Sequence, residues 1–369
     1  MRTMIQAYQK KLSGERVGIV FGTFAPLHQG HLEQIMRAKK ECDGGCIVIP
    51  VGREGDRGGK EMPIQRRYRY VREFFADDDM VAVYGIKEDE LGIEPYPNGW
   101  IKFLNKVLEL FNEGTEGQPT PVFYVGEEEY RNYLSDHGFQ VVKLDRTENP
   151  ISATMIRNNP IKYWDKITFP FRRVFSTNIL IIGTASEGKT SLVRDLGKYF
   201  NAPYSHEYAR DYMEESRLAE TELDGADYFA FLDGQYRMNK SLINSAGNNG
   251  IFFADSDSMT TKMYAECYSK DPTLPLTEEE YKSIAVAADA ITARCKWDKI
   301  YLLRPHNLFV DDHTRNMAYS GMEERREQYA ILFRIIHEAG LWDKVTILEG
   351  NYWQNFKAIV DDVKGMIEE

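Results

Sequence analysis

Val17-Gly18-Ile19-Val20-Phe21-Gly22-Thr23-Phe24-Ala25-Pro26-Leu27-His28-Gln29-Gly30-His31 is the stretch on which the reading of this chain turns. Its first five residues are a short apolar run of the kind a buried strand makes, and the run stops at Gly22. Beyond it, Leu32, Ile35 and Met36 fall on one face of a helix expected over 31–41. A strand, a glycine-bearing turn and a helix in that order aim the helix N-terminus at the turn. Its exposed amides and its partial positive charge, roughly half a unit, favour an anion there. Gly22 and Gly30 let backbone approach such a ligand, and Thr23, Phe24, Ala25 and Pro26 shape the corner between them. His28 and His31 are three apart, on one side of the corner, where each can donate to phosphate oxygens. This suits attack on an α-phosphate with displacement of pyrophosphate, in which the protein positions groups and stabilises charge.

Working outward, strands are expected at 47–51, 81–84, 122–125 and 141–144, and helices at 63–75 and 101–111. Strands alternating with helices indicate a parallel sheet covered on both faces, an α/β fold. The glycine-rich segment 53–60 reads as a mobile loop that offers Arg53 and Arg57 to phosphate. Trp100 closes a turn-rich stretch and either stacks on a flat cationic ring or plugs the core. Gly126 and Glu127 follow a strand and face an adenosine. Ser152 opens a short helix carrying Thr154 and Arg157, an arrangement that suits a polyphosphate. The pattern breaks over 158–173. The expected division is therefore a first domain over 1–165, a linker over 166–177 and a second domain over 178–369.

The second half opens with a strand at 178–182 and then Gly183-Thr184-Ala185-Ser186-Glu187-Gly188-Lys189-Thr190, with a helix over 189–200. This is GxxxxGK[ST] in its proper setting. Backbone from Gly183 through Ser186, Glu187 and Gly188 cradles phosphates, Lys189 neutralises their charge, and Thr190, or Ser191 in a shifted register, holds Mg²⁺. Phosphoryl transfer also needs an acceptor site. Glu207 is a candidate base and Arg210 a phosphate partner. Asp255 ends a strand expected at 251–254, where a metal-binding carboxylate belongs, and Asp257 either holds a ribose or caps a helix. Asp311 and Asp312 can bind a diol, and Arg315 can reach ATP from a lid. Further strands are expected at 299–303 and 345–348, and helices at 332–340 and 353–366.

Composition bounds the rest. The 369 residues and 43% hydrophobic content leave room for two cores. A net charge of −11 argues against a nucleic-acid partner. The four cysteines include no CxxC pair, which points to reduced thiols in a cytoplasmic protein rather than a zinc site. No apolar run is long enough for membrane insertion, and the first residues have no signal-peptide core. A homo-oligomer is compatible with all of this.

The run Gly22 to His31 is similar to the GxFxPxHxGH signature of the nucleotidyltransferase superfamily, and Ile151-Ser152-Ala153-Thr154-Met155-Ile156-Arg157 to its ISxTxxR motif. With the second-half motif, the chain resembles the NadR family, which joins a nicotinamide-mononucleotide adenylyltransferase to a ribosylnicotinamide kinase. The resemblance runs from about Arg16 to the end. It includes Pro95-Tyr96-Pro97-Asn98-Gly99-Trp100, Asn159-Pro160-Ile161-Lys162-Tyr163-Trp164, Asp255-Ser256-Asp257 and Asp311-Asp312. It implies a Rossmann-like nucleotidyltransferase domain followed by a P-loop kinase domain. It also implies the substrates ATP, ribosylnicotinamide, nicotinamide mononucleotide and NAD, with Mg²⁺. Ser152, Thr154 and Arg157 would grip ATP, and Tyr208, Arg210, Asp257, Asp311 and Asp312 would hold ribosylnicotinamide. Two departures stand out. The family's helix-turn-helix repressor domain is not expected in the short segment before the first strand, and His313-Thr314 stands where Gly-Leu is usual. The competing expectations are a fused pantetheine-phosphate adenylyltransferase and dephospho-coenzyme A kinase, and a nucleotide sensor without catalysis.

Overall fold

The computed structural model describes residues 11–59, 61–143, 150–306 and 317–368. Two units result, Met1–Phe175 and Ser176–Glu369. The first runs β1 (Leu12–Ser13), β2 (Arg16–Gly22), α1 (Gln29–Glu41), β3 (Cys46–Gly52), α2 (Ile64–Phe74), β4 (Val81–Val83) and β5 (Ile86–Lys87). It continues with α3 (Trp100–Gly114), β6 (Thr115–Glu116), β7 (Thr120–Val125), α4 (Glu128–Asp136), β8 (Gln140–Lys143), α5 (Ala153–Asn158) and α6 (Phe169–Phe175). Side chains alternate across β2: Val17 and Ile19 join one apolar layer with α3, and Val20 joins the other with α1, α2 and α6. The main sheet is parallel in the order β4-β3-β2-β7-β8. Its order reverses between β2 and β7, which opens a crevice beyond their C-terminal ends.

Two expectations need correction here. The segment 166–177 is not a free linker: Ile167, Phe171 and Val174 are buried in the first unit's core, and Thr177 already belongs to the next strand. Nor is the 53–59 stretch loose. Arg53 pairs with Glu88 at 2.9 Å, and Asp56 pairs with Arg67 and accepts from the Gly58 amide at 2.8 Å. Glycines suggested mobility, but Glu88 and Arg67, brought from elsewhere in the fold, anchor the segment.

The second unit runs β9 (Thr177–Gly183), α7 (Lys189–Phe200), β10 (Tyr204–Ser205), α8 (Tyr208–Ser216), α9 (Gly225–Ile243), β11 (Ile251–Asp255) and α10 (Ser258–Tyr268). It ends with α11 (Glu278–Thr292), β12 (Lys299–Leu303), α12 (Met322–Glu338), β13 (Val345–Leu348) and α13 (Tyr352–Glu368). The strands are parallel in the order β10-β11-β9-β12-β13. Ile179 and Ile181 face α7 and α13, while Leu180 and Ile182 face α10 and α12. Helices α8 to α11, which the sequence reading left unassigned, build a third apolar cluster around Met213, Tyr228, Phe231, Tyr268 and Ile284. Helix α12 starts well before the expected position. Its buried face reads Arg325, Gln328, Leu332, Ile335 and Ile336, so two polar residues hide the apolar period of its first half.

Candidate active sites

The first site forms where β2 ends. Phe24 has φ 45°, a left-handed conformation that bulky residues rarely adopt, and its ring is buried edge-on to His31 with centroids 5.0 Å apart. His28 and His31 stack with ring centroids 3.8 Å apart. Gly30 makes this possible, because a Cβ there would stand 3.2 Å from the His28 ring and 3.1 Å from Ile151. Two guanidinium groups hold the turn from outside. Arg67, fully buried, donates to the Thr23 carbonyl at 2.6 Å and the Val51 carbonyl at 3.3 Å, and also pairs with Asp56. Arg157 donates to the Ala25 carbonyl at 2.5 Å and to the Thr154 hydroxyl at 3.0 Å. Ser152 caps α5 by accepting from the Met155 amide at 3.2 Å. The two sequence motifs are thus joined directly, Arg157 to Ala25.

Other expected residues fall around this centre. Gly22 lies at the end of β2, and Gly126 and Glu127 follow β7, the neighbouring strand across the reversal. Glu127 is the N-cap residue of α4. Arg53 is engaged with Glu88, so its guanidinium is committed within the fold. Trp100 is not in a loop. It opens α3, is buried, and stacks on Tyr130 with centroids 4.8 Å apart. Burial pushes the Glu88 carboxyl above its usual range, with Arg53 opposing.

The second site forms where β9 ends. A Cβ on Gly183 would meet the Leu303 carbonyl at 2.9 Å, so only glycine lets the two strands close here. Gly188 and Ser186 adopt left-handed φ values of 82° and 63°, which turn the loop's amides inward. Lys189 donates to the Thr184 carbonyl at 3.0 Å. Thr190 donates to Asp255 at 2.5 Å, placing β11's last carboxylate at the mouth of the loop, and Ser191 is the next residue along α7. Asp255 is fully buried. Burial pushes its carboxyl above the usual range, Lys189 opposes this, and Glu207 adds to it. Glu207 pairs with Arg210 at 3.0 Å.

Behind Glu207 lies a pocket lined by Ser256, Asp257 and Gln235 on its polar side and by Tyr228, Phe231, Tyr264 and Tyr268 on its aromatic side. Asp257 is the N-cap of α10. One of its oxygens accepts from the Met259 amide at 3.0 Å and the other from the Trp297 indole at 3.0 Å. Burial pushes it up to about 6. The capping role expected as the alternative is present, with Asp257 also at the pocket wall.

These two arrangements match known families. A cytidylyltransferase-like family model covers residues 19–159, and an AAA-domain model covers 178–354. The chain is 37% identical to a NadR protein solved in complex with NR, over 93% of this chain and 92% of that one, with a TM-score of 0.78. It is 36% identical to a NadR protein solved with NAD and AMP-PNP, over 98% of each chain, with a TM-score of 0.79. The trifunctional NAD biosynthesis/regulator protein NadR of Salmonella typhimurium is 28% identical over 96% of this chain and 84% of its own length. The chain belongs to the NadR family. As the NadR resemblance implied, it is an ATP-using enzyme with a cytidylyltransferase-like unit followed by a P-loop kinase-like unit.

Within this NadR fold the structure adds residues that the sequence did not mark and gives partners to some that it did. Glu187, expected among the nucleotide-binding residues, has a buried side chain paired with Arg325 of α12, and it also accepts from the His306 amide at 3.2 Å. Arg67 and Arg325 carry no motif, and only their burial and partners reveal them. Tyr208 opens α8 with its ring against Gly234, where an added Cβ would overlap it at 2.0 Å, and its amide donates to Gln235 at 2.8 Å. Asp311, Asp312 and Arg315 lie outside the described residues.

Proposed function

We propose that the chain performs two successive steps of NAD salvage, one in each unit. In the second unit ATP phosphorylates the 5′-hydroxyl of ribosylnicotinamide to nicotinamide mononucleotide. In the first unit that product's phosphate attacks the α-phosphate of a second ATP, giving NAD and pyrophosphate. The observation that carries this is the presence of both sites in one chain that aligns with NadR proteins along almost its whole length. Family membership favours this reading over the coenzyme A pair.

In the kinase step the aromatic side of the pocket takes the flat ring, and the polar side brings the sugar towards the loop. Glu207 accepts the proton of the attacking hydroxyl, and Arg210 keeps Glu207 oriented. Lys189 leaves the Thr184 carbonyl to meet the β- and γ-phosphates. Thr190 and Asp255 are the residues that would hold Mg²⁺. A hydroxyl and a buried carboxylate within 2.5 Å of each other supply hard oxygen ligands. Among the described residues no group of three carboxylates, histidines or cysteines could hold a metal, which suits an ion whose remaining ligands are phosphate oxygens and water. When bound, Mg²⁺ neutralises charge on the transferred phosphoryl group.

In the adenylyl step His28 and His31 donate to the α-phosphate as charge develops on it. The α1 N-terminus and Gly22–Gly30 backbone face the phosphates, with Ser152, Thr154 and Arg157 on the leaving pyrophosphate. Gly126 and Glu127 face the adenosine.

The same proposal places the protein in the cytoplasm, which four free thiols suit, with no nucleic-acid partner, which the net charge of −11 suits. No helix of the described residues is long and apolar enough to cross a membrane. The test is mass spectrometry of products from ribosylnicotinamide with ATP and Mg²⁺, beside nicotinamide mononucleotide with ATP. NAD in both reactions is the expected result. NAD from the mononucleotide alone would overturn the kinase assignment. Absence of ATP turnover in both would favour the sensor.

A further inference from the structure

We propose that Thr260 reads a hydroxyl on the sugar of the acceptor nucleoside and so helps set the kinase unit's specificity. The inference rests on the kinase reading above and deepens it.

Helix α10 starts at its N-cap Asp257. Thr260, Tyr264 and Tyr268 follow at intervals of four, so they share one helix face. All four residues line the pocket. The face therefore passes from a carboxylate, through a hydroxyl, to two aromatic rings. An acceptor with a sugar at one end and a flat ring at the other meets Thr260 beside its sugar.

The hydrogen-bond accounting singles out the same residue. Asp257 has an oxygen on the Met259 amide and an oxygen on the Trp297 indole. The Ser258 hydroxyl is 2.8 Å from that of Thr292. The Thr261 hydroxyl donates to the Asp257 carbonyl at 3.4 Å. Thr260 is 2% exposed, and its hydroxyl has no hydrogen-bonding partner among the described residues. A buried hydroxyl left this way destabilises a fold, and valine would fill the same space without that cost. A threonine at this position is accounted for when a ligand completes the bond. A sugar hydroxyl both donates and accepts, as a threonine hydroxyl does. A site built to bond a hydroxyl also rejects the analogue that lacks it.

The experiment uses the full chain and its Thr260→Val and Thr260→Ser variants. Kinase kinetics are measured with ribosylnicotinamide and with its 2′- and 3′-deoxy analogues, together with adenylylation and thermal unfolding. Thr260→Val is expected to raise KM for ribosylnicotinamide about tenfold and to narrow the preference over one of the deoxy analogues. KM for ATP and the adenylylation rate stay unchanged, the unfolding temperature stays level or rises, and Thr260→Ser restores KM. A merely structural threonine would lower the unfolding temperature and leave the ribose preference intact; that result overturns the proposal. An unchanged KM in Thr260→Val overturns it as well while leaving the kinase reading standing. No phosphorylation by the unaltered chain overturns both.

Discussion

The two phosphate-binding turns are built by different means. The turn after β9 is shaped largely by its own eight residues: glycines at its ends, two left-handed φ values and a lysine bonded to a carbonyl five residues away. The turn after β2 is held by residues remote in sequence. Arg67 grips the Thr23 carbonyl and Arg157 grips the Ala25 carbonyl, one on either side of the left-handed Phe24. A loop that carries its own geometry can be recognised from a short motif. A turn that depends on distant donors needs its whole domain to form. Even the local loop has long-range holds, among them the buried pair of Glu187 with Arg325 from α12.

The largest effects should separate the two sites. Lys189→Ala is expected to lower kinase kcat/KM by about a thousandfold and leave adenylylation intact, and His31→Ala to do the reverse. Assaying both activities on each variant checks this; loss of both from one substitution in a folded protein would break the two-site comparison. Next comes the buried pair. Glu187→Gln should destabilise the second unit by about 3–5 kcal/mol, because it leaves the Arg325 charge buried, and Glu187→Gln with Arg325→Met should recover much of that loss. Denaturant unfolding reads both, and a single variant as stable as the parent would show that the loop keeps its shape unaided.

Arg67→Met should cost the first unit about 3 kcal/mol and reduce adenylylation, with kinase activity retained. If adenylylation survives at full rate, Arg157 alone suffices to hold the turn. The smallest effect is a pH dependence. Burial raises the folded pKa of Glu88 above 4.5, so its contribution to stability is present at or below that value and is lost as pH rises through the raised pKa. Glu88→Gln removes the titrating group. Its stability relative to the parent should therefore grow as pH rises above about 4.5. A flat difference across that range would mean that the Arg53 pair balances burial.

Much of this was legible in the sequence because it is local. Both strand–turn–helix corners, the strands flanking them and the parallel α/β character follow from short apolar runs and glycine positions. What escaped has a common cause. The first half of α12 was obscured because Arg325 and Gln328 occupy its buried face. Helices α8 to α11 were left unassigned, and two of them, α9 and α10, form the aromatic wall of the pocket beside Asp257. The 53–59 stretch read as mobile because its glycines are visible in sequence and the Arg67–Asp56 and Arg53–Glu88 pairs are not. Trp100 is open between ligand plate and core plug in sequence, and only the fold shows that it packs on Tyr130, thirty positions on.

By itself the sequence determined the two nucleotide corners, because a strand end, a glycine and a helix start lie within about ten residues and dictate where amides point. Tertiary structure alone decided which charged groups are committed to holding those corners. Burial, and the partner that burial selects, depend on contacts between residues far apart in the chain. That is why Arg67 and Arg325 emerge as supports, why Glu187 faces inward, and why Thr260 is left with a hydroxyl to offer.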